Sequence, residues 1–232
     1  MNPTQFGQWN QKVLSQERAG FLGELEIIFA ALDIVIFDVP RDLDIDLAEF
    51  SCEAAIAGMK VFQERVLKRY RFLGVDFKTQ QCFQINITDA PNGKKIEWED
   101  LLGPFLDLET GEIRPKSDFS APVERWFERN GLEEGDACTY GLADALLDPP
   151  YGIRLQNDSA EARKQLVHRF LRLVFGYNVI EGSFESLPYI MKWSTDWSNY
   201  FDAGNEWWGA FYWTILLEER QEIIVIGASA TD

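Results

Sequence analysis

Between residues 47 and 73 the apolar positions Ala55, Met59, Phe62, Val66, Tyr70 and Leu73 step by three and four. That spacing draws one face of an amphipathic helix. Lys60, Glu64 and Lys68 recur at four-residue intervals on the other faces, and Gly74 stands where a helix C-cap is expected. The period then falls to two. Phe83, Ile85 and Ile87 alternate with Gln84 and Asn86, Ile96 and Trp98 flank Glu97, and Pro91-Asn92-Gly93 lies between the runs. Alternation on both sides of a glycine-containing turn predicts a β-hairpin. "DLETGEI", 107–113, reads as a second, shorter turn. The stretch "WWGAFYWTILLEERQEIIVIGASATD" reads as a terminal hairpin, two β-rich runs joined around Glu218 to Gln221.

Four further segments complete the pattern. Residues 3–18 are compatible with a helix, and 24–37 form a buried helix or a helix followed by a strand from Ile34 to Phe37, ended by Pro40. Residues 120–130 predict a short helix with Ser120 as N-cap, Pro122 in the first turn and Asn130-Gly131 as the stop. Residues 159–175 predict a longer one, with Asp158 and Glu161 at capping-box spacing, a Leu166, Phe170, Leu173 stripe and Gly176 closing it. No internal repeat or linker composition divides the chain. The expected fold is α+β, a single domain over 1–232 in which antiparallel β-hairpins pack against several amphipathic helices.

Composition adds a core and a charge. Of the 232 residues 46% are hydrophobic and 14% aromatic, enough to fold by burial without staples. Against 22 basic residues stand 38 acidic ones, a net charge of −16. Such a field opposes nucleic acid, whose binding needs a cationic surface, and favours a basic protein partner. Cys52, Cys82 and Cys138 are widely spaced and form no metal or disulfide pattern. The N-terminus lacks a charged region followed by an apolar one, and "LEIIFAALDIVIF" is broken by Glu26 and Asp33 and too short to span a bilayer. The expectation is a cytoplasmic protein with no membrane partner.

Several short motifs bear on chemistry. Asp148-Pro149-Pro150-Tyr151 resembles the tetrapeptide of adenine-N6 and cytosine-N4 methyltransferases, which would imply a flipped base held at a strand end. The preceding Leu142, Ala145 and Leu146 sit at helical spacing, and no strand-glycine-helix loop for the methyl donor is present. A helix ended by Asp148 and two prolines is the better reading. Asp42, Asp44, Asp46 and Glu53 have calcium-loop spacing, but Leu47 occupies the position that needs glycine. Those carboxylates read as an acidic approach to a helix N-terminus. His168, the only histidine, lies among Arg163, Lys164, Arg169 and Arg172. That basic face, like "ERVLKRYR" at 64–71, reads as a solvated surface paired with surplus carboxylates. No serine-nucleophile elbow, zinc-protease pair or phosphate-binding loop occurs, and neither a cofactor nor a metal is expected.

The densest local signal is "KWSTDWSNYFDAGNEWWGAFYW", 192–213, which holds five of the eight tryptophans. Phe211 and Trp213 alternate within a strand and read as core. Trp197, Tyr200, Trp207 and Trp208, interleaved with Asp196, Asp202 and Glu206, read as a surface for lysine, arginine or an amine. Three functions are compatible with it. The first is an acidic protein-binding module, such as an immunity-type inhibitor of a basic toxin or nuclease. The second is an enzyme or small-molecule binder with an acidic aromatic cleft, and the third a self-associating structural subunit. Binding is favoured, with catalysis left open.

Overall fold

In the computed structural model, residues 9–28, 31–41, 45–74, 83–86, 91–107, 110–115, 120–130, 141–149, 152–185 and 187–229 are described. Their elements run α1 (Gln16–Ile27), β1 (Leu32–Asp38), α2 (Leu47–Phe72), β2 (Gly93–Lys95), α3 (Trp98–Leu102), α4 (Ala121–Asn130) and α5 (Leu142–Leu147). Then come α6 (Ala160–Phe170), a π-helical turn (Leu171–Phe175), β3 (Tyr177–Asn178), β4 (Ser183–Phe184) and β5 (Pro188–Trp193). A 3-10 turn (Asn199–Phe201), α7 (Asp202–Trp207), β6 (Ala210–Leu217) and β7 (Glu222–Ser229) follow. The fold is α+β, with several helices packed against antiparallel strands. Five strands form one sheet in the order β1-β7-β6-β5-β2, and β3 and β4 form a separate pair. No described helix is long and apolar enough to cross a membrane.

Contacts group the fold into two compact units, one of Met1–Lys12, Asp33–Lys95 and Tyr189–Asp232, the other of Val13–Leu32 and Ile96–Pro188. In the first, the β6 and β7 runs pair over eight positions from Ala210↔Ser229 to Leu217↔Glu222. Residues 218–221 turn the chain, with Gln221 at φ 51°. The helix α2 starts at Asp46, whose carboxylate accepts from the amides of Ala48 and Glu49. That is the dipole-capping role expected of the acidic approach; Asp42 to Asp44 lie outside the described residues. Phe50, Ala54, Ala55, Gly58, Met59 and Phe62 form its buried face. The predicted stripe continues to Leu73, but Val66 and Tyr70 are only half-buried and Leu73 is exposed. Length explains the difference: 26 residues of helix reach about 39 Å, while an eight-residue strand spans about 27 Å.

Gly58 sets how closely helix and sheet approach. A Cβ there would lie 2.6 Å from Val225 Cγ1 and 3.1 Å from the Tyr212 hydroxyl. That hydroxyl donates to the Ala55 carbonyl at 2.8 Å, tying the helix backbone to β6.

Two expectations change, and one open alternative is decided. No helix forms before Gln16 among the described residues: the chain at 10–12 runs beside β1, with the Lys12 amide bonded to the Ile36 carbonyl and the Asp38 amide to that of Asn10. Residues 24–37 take the helix-then-strand form, α1 ending at Ile27 and β1 beginning at Leu32. The hairpin expected across 83–98 is replaced by two distant pairings. Gly93–Lys95 pairs with Met191–Trp193, Ile85 bridges Ser198, and Trp98 opens α3; 87–90 lie outside the described residues. At Gly93 a Cβ would stand 2.3 Å from the Trp193 ring, so glycine here admits the indole of a remote strand instead of making a tight turn.

In the second unit, Trp98 sets its ring edge-on to Phe175 at 5.2 Å and Phe184 at 4.7 Å, and Phe21 meets Phe170 at 6.3 Å. The α6 cap is Ser159, whose hydroxyl accepts from the Ala162 amide, while Asp158 pairs with Arg163 at 2.6 Å. The one-residue shift frees the carboxylate for the guanidinium. Gly176 closes the π-helical turn in the left-handed conformation, and Asp148 closes α5 as a helix end. Pro150 and Tyr151 lie outside the described residues. The turn at 107–113 is held by a Leu106↔Ile113 bridge, with Gly111 at φ 67°.

Candidate functional site

Most rings of the 192–213 segment are drawn inward. Trp193 donates from Nε1 to the Thr214 hydroxyl at 3.0 Å, and Trp197 from Nε1 to the Ser194 carbonyl at 2.8 Å. Ser198 caps the 3-10 turn by accepting from the Tyr200 amide, which swings Tyr200 and Phe201 beneath α2. Trp197, at 1% exposure, packs on Tyr212 at 5.5 Å and Phe201 at 5.8 Å; Tyr200, at 2%, meets Phe62 at 6.0 Å. Neither Trp197 nor Tyr200 therefore presents a ring to a partner, contrary to their placement on the expected surface. Each supplies more apolar area than its polar edge needs, and one hydrogen bond satisfies that edge inside the core. Phe211 and Trp213 are buried as well, stacked at 5.2 Å.

What reaches solvent is the acidic part. Asp196, Asp202 and Glu206 are exposed. Asp202 and Glu206 are four apart on α7 and share a side of it, and the Thr195 hydroxyl donates to Asn205 Oδ1 at 3.3 Å, tying the segment that carries Asp196 to the same helix. None of the three carboxylates makes an ion pair or hydrogen bond among the described residues. Trp208 is half-buried, edge-on to Phe211 at 6.5 Å. Trp207 ends α7, and its side chain lies outside what is described. Gly204 holds α7 down on the hairpin: a Cβ there would be 2.4 Å from the Gly209 carbonyl and 2.7 Å from Ser229 Oγ.

The basic face of α6 contrasts with this surface. Arg163 pairs with Asp158, Lys164 with Glu112, Arg169 with Glu24 and Arg172 with Glu17. His168 Nε2 lies 3.0 Å from the Gly111 carbonyl. Every charge on that strip has an internal answer. The half-buried Cys52 thiol is pushed up by burial first and by Glu53 and Glu49 next, which keeps it protonated and unreactive. Among the described residues no three His, Cys, Asp or Glu side chains converge as metal ligands would.

A cleft of about 910 Å³ opens in the second unit, lined among others by Pro104, Asp107, Arg114, Arg125, Trp126 and Arg129. None of its lining residues comes from 192–213. Two of its guanidiniums are already paired, Arg114 with Asp107 and Arg129 with Asp100, each at 2.6 Å. Its only sequence trace is the spacing of Pro122, Arg125, Trp126 and Arg129 on one side of α4.

Tyr200 and Tyr212 carry a pH signature. Tyr200 donates to Asp33 Oδ2 at 2.9 Å. Burial first, then the Asp33 carboxylate, raises both phenols well above their ordinary value. Unfolding releases them to titrate near pH 10. Because the folded value is the higher, the stabilisation is complete below about pH 10 and lost as pH rises toward it, where the unfolded chain binds fewer protons. We expect two of the seven tyrosines to ionise only with unfolding. Tyrosinate absorbance followed alongside near-UV circular dichroism checks this; smooth titration of all seven in the folded protein would refute it.

Comparison with protein-family models, curated proteins and solved structures returns no match to this chain.

Proposed function

We propose that this protein is an acidic protein-binding module whose α7 surface, formed by Asp196, Asp202 and Glu206 beside Trp208, docks a basic partner. An immunity-type inhibitor of a basic toxin or nuclease is the class that fits best. The observation carrying the reading is that these three exposed carboxylates stand unpaired among the described residues, while the acids facing α6 are matched to arginine or lysine. Carboxylates already engaged at home have little to give a partner. Free ones form charge-assisted hydrogen bonds with incoming lysine and arginine, and the net charge of −16 adds long-range steering.

The test is capture of purified basic toxin and nuclease domains at low and high salt, comparing wild type with Asp196→Asn/Asp202→Asn/Glu206→Gln. All three positions are exposed, so the variant keeps its fold. We expect binding that weakens with salt and falls at least tenfold in the variant, chiefly through slower association. Equal capture by both proteins, or none by wild type, ends this reading.

A further inference from the structure

The last turn of α2 carries a feature that neither its packing nor its cap accounts for. Phe72 is 89% exposed and Leu73 62%, adjacent large apolar side chains at the tip of a helix. Around them Lys68, Arg69 and Arg71 are exposed, and none of the three side chains has an ion pair or hydrogen bond among the described residues. In a chain with 16 surplus negative charges, the cations on α6 and the π-helical turn after it each find a carboxylate, while these find none among the described residues. The helix dipole favours positive charge at this end but gives no reason for the exposed phenylalanine and leucine.

We propose that this tip is a docking surface for a second copy of the chain, seated on that copy's Asp196, Asp202 and Glu206. The inference rests on the reading of those carboxylates as an interaction surface and names an occupant for it. The two patches are complementary: three unpaired cations meet three unpaired carboxylates, and Phe72 meets the half-buried Trp208, whose ring also accepts an arginine. Both belong to the first unit and lie toward one end of it. Phe62 of α2 touches Tyr200, two residues before α7, and the helix runs ten residues further, about 15 Å. Two copies related by a two-fold axis can therefore make the same contact twice, tip to patch and patch to tip, and close as a dimer.

The net charge does not prevent this. At physiological ionic strength repulsion between exposed charges is screened beyond about 8 Å, so the groups in contact decide. For the same reason salt is a poor probe, weakening the local attraction and the global repulsion together. Charge reversal separates them.

The experiment is sedimentation equilibrium of the full chain across a dilution series. Wild type is compared with a tip variant, Lys68→Glu/Arg69→Glu/Arg71→Glu, and a patch variant, Asp196→Lys/Asp202→Lys/Glu206→Lys. The altered side chains are exposed and unpaired among the described residues, and near-UV circular dichroism verifies the folds. We expect a wild-type dimer that dissociates on dilution, at least tenfold weaker association of each variant alone, and recovery when the two are mixed, since the mixture restores opposite charges at both contacts. Phe72→Ser/Leu73→Ser, with all charges kept, also weakens the dimer. A wild type that stays monomeric throughout, or a dimer untouched by either reversal, overturns the proposal. If the monomer still captures basic proteins through Asp196, Asp202 and Glu206, only the second copy is refuted; if it does not, the reading of that surface fails with it.

Discussion

Replacing Trp197 by alanine is expected to remove about 3–5 kcal/mol of stability, the range for deleting a large ring from a packed core. The indole is 1% exposed, lies against Phe201 and Tyr212, and answers the Ser194 carbonyl. Its removal opens a cavity beneath α2 and leaves that carbonyl without its donor, a further loss of about 1 kcal/mol or more. Against a total of about 5–15 kcal/mol for ordinary domains, the variant sits near the limit of folding. Urea denaturation followed by near-UV circular dichroism measures the loss. A change below about 1 kcal/mol, as expected for a truncated surface ring, would show that Trp197 is not core. Any loss of binding in a Trp197 variant therefore reports unfolding first.

Gly58→Val should be comparably damaging, about 3 kcal/mol, by the opposite mechanism. Glycine within a helix is ordinarily about 1 kcal/mol worse than alanine, so substitution is expected to help wherever space allows. Gly20 on α1, where an added Cβ would meet nothing within 4 Å, is such a site, and Gly20→Ala should stabilise by about 0.5–1 kcal/mol. At Gly58 the new carbon meets Val225 Cγ1 at 2.6 Å and Cβ at 2.9 Å. Val225 is β-branched and sits inside a strand, so it has little freedom to yield. The helix must lift, and the Tyr212–Ala55 hydrogen bond stretches with it. Opposite signs for these two substitutions in the same denaturation assay are the expected outcome; stabilisation by both would show that α2 is not seated closely on β6 and β7.

Local signals carried much of the fold. The stripe on α2, the β6–β7 hairpin and the termini of α4 and α6 are written in residues close together in the chain, where spacing and caps act. Partners far along the chain left no such trace. Gly93 reads as a turn glycine until Trp193 is laid across it, and Pro188–Trp193 has no turn beside it to mark it as a strand. The aromatic segment was legible as important but not as oriented. Composition gives Trp197 and Trp208 the same weight, yet the Ser198 cap turns one side of the segment under α2 and leaves Asp196, Asp202 and Glu206 outside. The tip of α2 was similarly disguised, because the three-and-four stripe continues past the point where the sheet ends.

The strand order has a consequence for how the molecule is made. In β1-β7-β6-β5-β2, β1 at Leu32–Asp38 must wait for β7 at Glu222–Ser229 before it has a neighbour in the sheet. During synthesis every element between the two has left the ribosome by then, with only residues 10–12 beside β1, its other edge open and the apolar side of α2 uncovered. Closing so long a loop makes for high contact order and slow folding. The second unit, whose elements are nearer one another in sequence, gains its contacts earlier. The growing chain thus carries an exposed strand edge for most of its emergence, the interval in which a chaperone would have the most to hold.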